Sequence, residues 1–124
     1  MSCPIHRAVL AAAAVASLLA GCGGERPATA AGPSVERGRL LLAQYQCGSC
    51  HAIPGVPASR GQVAPPLEAF GLRSYIAGRV ANRPDALARW IESPQALVPG
   101  TAMPSMGASD VDARDMEAYL SSLR

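Results

Sequence analysis

Apolar positions divide the chain into stretches of three kinds. Residues 8–20 (AVLAAAAVASLLA) are apolar but for Ser17, whereas residues 23–33 (GGERPATAAGP) carry no large apolar side chain. From residue 34 onward the pattern becomes periodic. Val35, Leu41, Leu42 and Tyr45 fall on one face at helical spacing, with Ser34 placed to cap that helix. Leu87, Trp90 and Ile91 make a second stripe. Pro84 suits the first position of its helix, and Pro94 predicts an end near Glu92 or Ser93. Met116, Tyr119, Leu120 and Leu123 repeat at i, i+3, i+4 and i+7. Ser109 can cap this last helix, and Asp110 and Asp112 complement the dipole in its first turn. No run shows the strict alternation of a strand, so the pattern predicts an all-α domain of about three to five short helices with long loops.

Composition adds a constraint on what fills the core. A chain of 124 residues fits one small domain. One Phe, one Trp and three Tyr are few for a core built from side chains alone. Most of the eleven prolines and twelve glycines lie after residue 53, which predicts ordered loops wrapped round something large.

The amino-terminal stretch reads as an address rather than as fold. Arg7 precedes this thirteen-residue apolar stretch, a length that suits the hydrophobic region of a signal peptide and is too short to span a bilayer. Leu19-Ala20-Gly21-Cys22 resembles the lipobox of bacterial lipoproteins, which implies cleavage before Cys22 and acylation of its sulfur. The expected organisation is a lipoprotein signal peptide over 1–21, a lipidated flexible tether over 22–33 and a folded domain over 34–124. Such a protein is exported and lipid-anchored on the periplasmic side of a bacterial membrane.

The chemistry lies in Cys47-Gly48-Ser49-Cys50-His51, the attachment signature of a c-type haem. Two thiols one helical turn apart can each add to a vinyl group on one edge of the macrocycle. The next residue, His51, then lies under the iron as axial ligand. A structural zinc site needs four ligands. With Cys3 removed and Cys22 acylated, only Cys47, Cys50 and His51 remain. A thioredoxin-type pair would sit near a βαβ pattern, which the sequence lacks. The expected cofactor is one covalent haem c, and it doubles as the missing core.

Residues 34–124 resemble the class I cytochromes c. The resemblance implies an N-terminal helix whose Gly38 crosses a C-terminal helix at Tyr119, with Gly38 one residue further from the first haem cysteine than is common in the family. Pro99-Gly100-Thr101-Ala102-Met103-Pro104 looks like the family's methionine loop, which makes Met103 the expected sixth ligand and Met106 the second candidate. Ala64-Pro65-Pro66-Leu67 resembles a segment whose proline carbonyl accepts the Nδ1 proton of the proximal histidine, which gives Pro65 that role. Trp90 resembles the tryptophan that bonds a haem propionate, and Arg73 is the candidate for the other propionate.

With both axial positions filled, the expected activity is one-electron transfer in a respiratory chain rather than enzymatic turnover. Expected partners are redox proteins, namely a quinol-oxidising complex and a terminal oxidase or reductase. Neither a small-molecule substrate nor a nucleic acid is expected. The cytochrome modules attached to oxidases are similar too, so a bound oxidase subunit is the nearest alternative. A haem sensor or peroxidase module with a dissociable methionine is the other. The basic residues are all arginine, seven of them between Arg37 and Arg89, while Asp110, Asp112, Asp115 and Glu117 cluster near the end. A basic front of this kind could steer an acidic redox partner.

Overall fold

Helix caps and prolines set the element boundaries in the computed structural model, which describes residues 32–124. Helix α1 spans Val35–Gln44 and helix α4 spans Asp110–Ser122. Each starts at an extended serine whose hydroxyl accepts an N–H from the first turn: Ser34 from Arg37 and Ser109 from Asp112, both at 3.2 Å. The expected signal peptide, the lipidation site Cys22 and most of the tether lie outside the described residues.

The two terminal helices cross backbone to backbone. Gly38, Leu41 and Leu42 form the buried stripe of α1, and Val35 points to solvent. A Cβ at Gly38 would overlap the Asp115 carbonyl. The glycine therefore meets the Asp115–Met116 backbone, one turn before Tyr119. The expected close approach of the two backbones is therefore at Gly38, with Asp115 and Met116 as its nearest neighbours. The tyrosine is directed elsewhere, and its hydroxyl donates to the Pro54 carbonyl at 2.6 Å.

A polar clasp closes the same crossing. The Arg37 guanidinium bridges Asp112 and Asp115, Tyr45 donates its hydroxyl to Asp112 at 2.8 Å, and the Ser34 N–H donates to Asp115 at 2.7 Å. The Tyr45 hydroxyl, joined by Arg37, holds the Asp112 carboxyl below the usual aspartate range.

Helix α2 spans Pro84–Glu92 and buries Leu87, Trp90 and Ile91, with α4 as its main helical partner. Pro94 does more than end it. The proline is fully buried and occupies the first position of a further turn, α3, over Pro94–Leu97. A two-stranded antiparallel hairpin was not expected. Strand β1 (Tyr75–Ile76) pairs with β2 (Val80–Ala81), and two residues per strand are too few to show alternation. Left-handed backbone at Ala77 and Gly78 turns the chain, closed by the Arg79 N–H on the Ile76 carbonyl at 3.0 Å. Ala113 and Met116 are fully buried at the centre, with Leu42, Ile76 and Leu87 around them. Among the described residues, no helix is long and apolar enough to cross a membrane.

Candidate haem site

The Cys47 to His51 pentapeptide leaves α1 through left-handed backbone at Gln46 (φ 55°) and forms a single tight turn over Cys47–Ser49. The His51 N–H closes it on the Cys47 carbonyl at 3.0 Å. The segment that follows folds back and is laced to the motif through main-chain groups. Gly61 donates to Gly48 at 3.0 Å, Ala64 to Cys50 at 3.0 Å and Leu67 to Ala52 at 2.8 Å, while Ile53 donates to Ser59 at 3.2 Å within the loop. Two glycines permit this approach. A Cβ at Gly48 would overlap Ser59, and one at Gly61 would overlap the Ser49–Cys50 backbone. Neither requirement was recognised in the sequence, because the partner segment is not adjacent in the chain.

His51 is oriented by this lacing. Its Nδ1 lies 2.6 Å from the Pro65 carbonyl oxygen. A carbonyl only accepts, so Nδ1 carries the proton and Nε2 keeps its lone pair for a metal. Arg73 braces the same loop: its Nη2 donates to the carbonyls of Pro66 at 2.6 Å and Glu68 at 3.1 Å, and its guanidinium lies 5.2 Å from the centroid of the Phe70 ring. Cys47 and Cys50 are half-buried and unpaired. Burial pushes the Cys47 thiol above its ordinary range, which is the reverse of what a redox-active thiol pair needs.

The methionine loop is held differently. Between Pro99 and Ala108 no main-chain hydrogen bond reaches another segment of the described residues. Side chains fix it instead: Gln95 Nε2 donates to the Met103 carbonyl at 2.7 Å, and the Ser105 hydroxyl donates to the Glu92 carbonyl at 2.9 Å. Met103 is half-buried against the core, whereas Met106 is 44% exposed. Gln95 and Ser105 had no sequence signal, since neither belongs to a motif.

The cytochrome c family profile matches residues 35–124, all but the first few residues of the described domain. The chain belongs to the cytochrome c family. It is 36% identical over 88 residues to cytochrome c oxidase subunit 2 of Alkalihalophilus pseudofirmus, a match covering 71% of this chain and 24% of that protein. It is 31% identical over 103 residues to cytochrome c oxidase subunit 2 of Bacillus subtilis, covering 77% of this chain and 28% of that one. The chain thus spans about a quarter of the length of these relatives.

The residues of this cytochrome fit a haem better than a bare ion. Among the described residues, no group of three or more His, Cys, Asp or Glu is placed to hold a metal. His51 offers one free nitrogen beside two free thiols, the donor set of a macrocycle tethered at its edge. Trp90 is buried through its ring; its indole N–H makes no hydrogen bond among the described residues, and since no side-chain nitrogen there is both buried and unpartnered, that donor reaches solvent. The fold and the site together are those of a cytochrome c domain with the donors to hold a haem.

Proposed function

We propose that this cytochrome carries one haem c, bound covalently through Cys47 and Cys50, with His51 and Met103 as axial ligands. Its role is one-electron transfer in a respiratory chain, on the periplasmic side of a bacterial membrane. The observation that carries the reading is the 2.6 Å approach of His51 Nδ1 to the Pro65 carbonyl, which leaves Nε2 without a hydrogen-bond partner among the described residues, immediately after two free thiols. Haem supplies a reversible ferrous/ferric couple. The Pro65 carbonyl fixes the imidazole and raises its basicity. Met103 adds a soft neutral sulfur, which favours the ferrous form and raises the potential. Trp90 and Arg73 are the candidates to hold the propionates.

Cys22 is the proposed point of lipid attachment, on the strength of the apolar run that precedes it and the lipobox resemblance, with residues 23–33 as tether to the domain. Electrons come from a quinol-oxidising complex and go to a terminal oxidase or reductase. The named relatives favour an oxidase over a reductase, and a form held stably by its oxidase is the variant they support.

Export with the haem-attachment machinery tests this. One haem per chain should survive denaturation and be lost when Cys47 and Cys50 are both changed to Ser. The ferrous form should take up carbon monoxide only slowly. Non-covalent haem, or avid carbon monoxide binding by the wild type, would overturn the carrier reading in favour of a sensor or peroxidase module.

A further inference from the structure

The axial histidine and the methionine expected opposite it are fastened by different means, and the fastening of the methionine leads back to one side chain. Pro94 is fully buried and anchors α3 against the core. Gln95 is the next residue, exposed, and its amide N–H donates to the carbonyl of Met103 at 2.7 Å. A second tie lies two residues beyond the methionine. Ser105 donates to the Glu92 carbonyl, one of the carbonyls at the end of α2 that lack a partner within the helix. The other hydrogen bonds of residues 98–104 are local: the Val98 N–H to Pro94, the Thr101 N–H to Val98 and the Met103 N–H to the Thr101 hydroxyl at 3.4 Å. Pro99 and Pro104 stiffen the loop but bring no donor of their own.

We propose that Gln95 is a positioning residue for the sixth ligand, a latch that holds the Met103 loop closed and so sets how readily an external ligand can take the methionine's place. This rests on Met103 being the axial ligand. In the exchange the bond from the Met103 sulfur to ferrous iron breaks and a bond from the incoming ligand forms. No electron is transferred, and Met103 leaves as the neutral thioether that it was when bound. Gln95 acts on the open-to-closed equilibrium of the loop and on nothing else, because its amide is not itself near a reacting group through any bond but the one to the Met103 carbonyl. A net hydrogen bond of ordinary strength corresponds to about a three- to tenfold change in the open population.

The test uses full-length holoprotein with wild type, Gln95→Ala, Gln95→Glu and Met103→Ala. Gln95→Glu is nearly isosteric and cannot donate when ionised. Three readouts separate the possibilities: carbon monoxide uptake by the ferrous form, the temperature at which the ferric sulfur-to-iron band is lost, and the helical melt by circular dichroism. Both Gln95 variants should raise the rate of carbon monoxide uptake about three- to tenfold and lose the band at lower temperature, while the helical melt stays near wild type. A Met103-dependent band with unchanged uptake in both Gln95 variants overturns the latch alone. An equal fall in band and helical melt also overturns it, because Gln95 would then be structural. A wild type with no band, or a band that Met103→Ala leaves intact, overturns the ligand reading and the latch with it.

Discussion

The segment around His51 and the loop around Met103 are both irregular and proline-rich, yet they are built on opposite principles. Seven main-chain hydrogen bonds lie within the segment from Gly48 to Leu67, three of them joining residues 48–52 to residues 61–67, and two glycines let the two stretches of chain touch. The Met103 loop makes no main-chain bond to another segment of the described residues and hangs on Gln95 and Ser105. Main-chain lacing distributes its strength over several groups, so the loss of one side chain cannot undo it. A loop held by side chains can be loosened one substitution at a time. The segment at His51 is thereby fixed and the Met103 loop adjustable; under the proposed ligation, control of ligand access would lie in the loop.

The comparison breaks most severely at Gly61. Gly61→Ala drives a methyl into the Ser49–Cys50 backbone. We expect a loss of about 3 kcal/mol, with a thermal midpoint lower by roughly 10 to 20 °C and a poor yield of holoprotein. A midpoint within a few degrees of wild type would mean that the lacing yields easily.

Ser105→Ala removes one of the two ties of the methionine loop without touching the core. The expected cost is about 1 kcal/mol, confined to the loop. Faster proteolytic nicking between residues 99 and 108, with an unchanged global melt, is the signature to look for.

The clasp between α1 and α4 lies outside both loops, and its response to acid serves as a reference. Asp112 has a lowered carboxyl pKa in the folded state, through Tyr45 first and Arg37 second. Its contribution is present above the unfolded aspartate pKa of about 4 and is lost as pH falls through the lower folded value. The clasp is partly exposed, so the effect is under about 1 kcal/mol. Stability measured against pH should drop in this acid range, and Asp112→Asn should flatten that part of the curve. A curve that keeps its shape in Asp112→Asn would assign the acid sensitivity elsewhere.

The smallest effect is a gain. Ala58, in the loop between Ile53 and Leu67, has left-handed backbone at φ 57°. Ala58→Gly relieves this, and after the entropic penalty of glycine the net change is about +0.5 kcal/mol. Denaturant unfolding of the apo and holo forms would register it. A loss of stability instead would show that the Ala58 methyl contributes packing.

Local chemistry was legible in the sequence and most long-range partnership was not, the Pro65 carbonyl on His51 being an exception that the family resemblance supplied. Ser34 and Ser109 marked the starts of α1 and α4, and Pro84 that of α2, because a cap or a fixed φ acts within four residues. The Cys47 to His51 motif needed no structure to be seen. Pro94 was read only as a stop, although the same fixed φ that ends α2 suits the first position of α3. The hairpin was too short for periodicity to reveal. Gly38 is legible as a point of close approach, whereas the backbone atoms it meets, those of Asp115 and Met116, are not, since helix register is set by the whole contact. Gln95 is an ordinary surface glutamine until the fold brings Met103 against it.

The most direct measurement is the optical spectrum of the exported holoprotein, oxidised and reduced, for wild type, Met103→Ala and Met106→Ala. Ligation by His51 and Met103 predicts a long-wavelength sulfur-to-iron band in the ferric wild type that persists in Met106→Ala and disappears in Met103→Ala. A high-spin wild type lacking that band would contradict it.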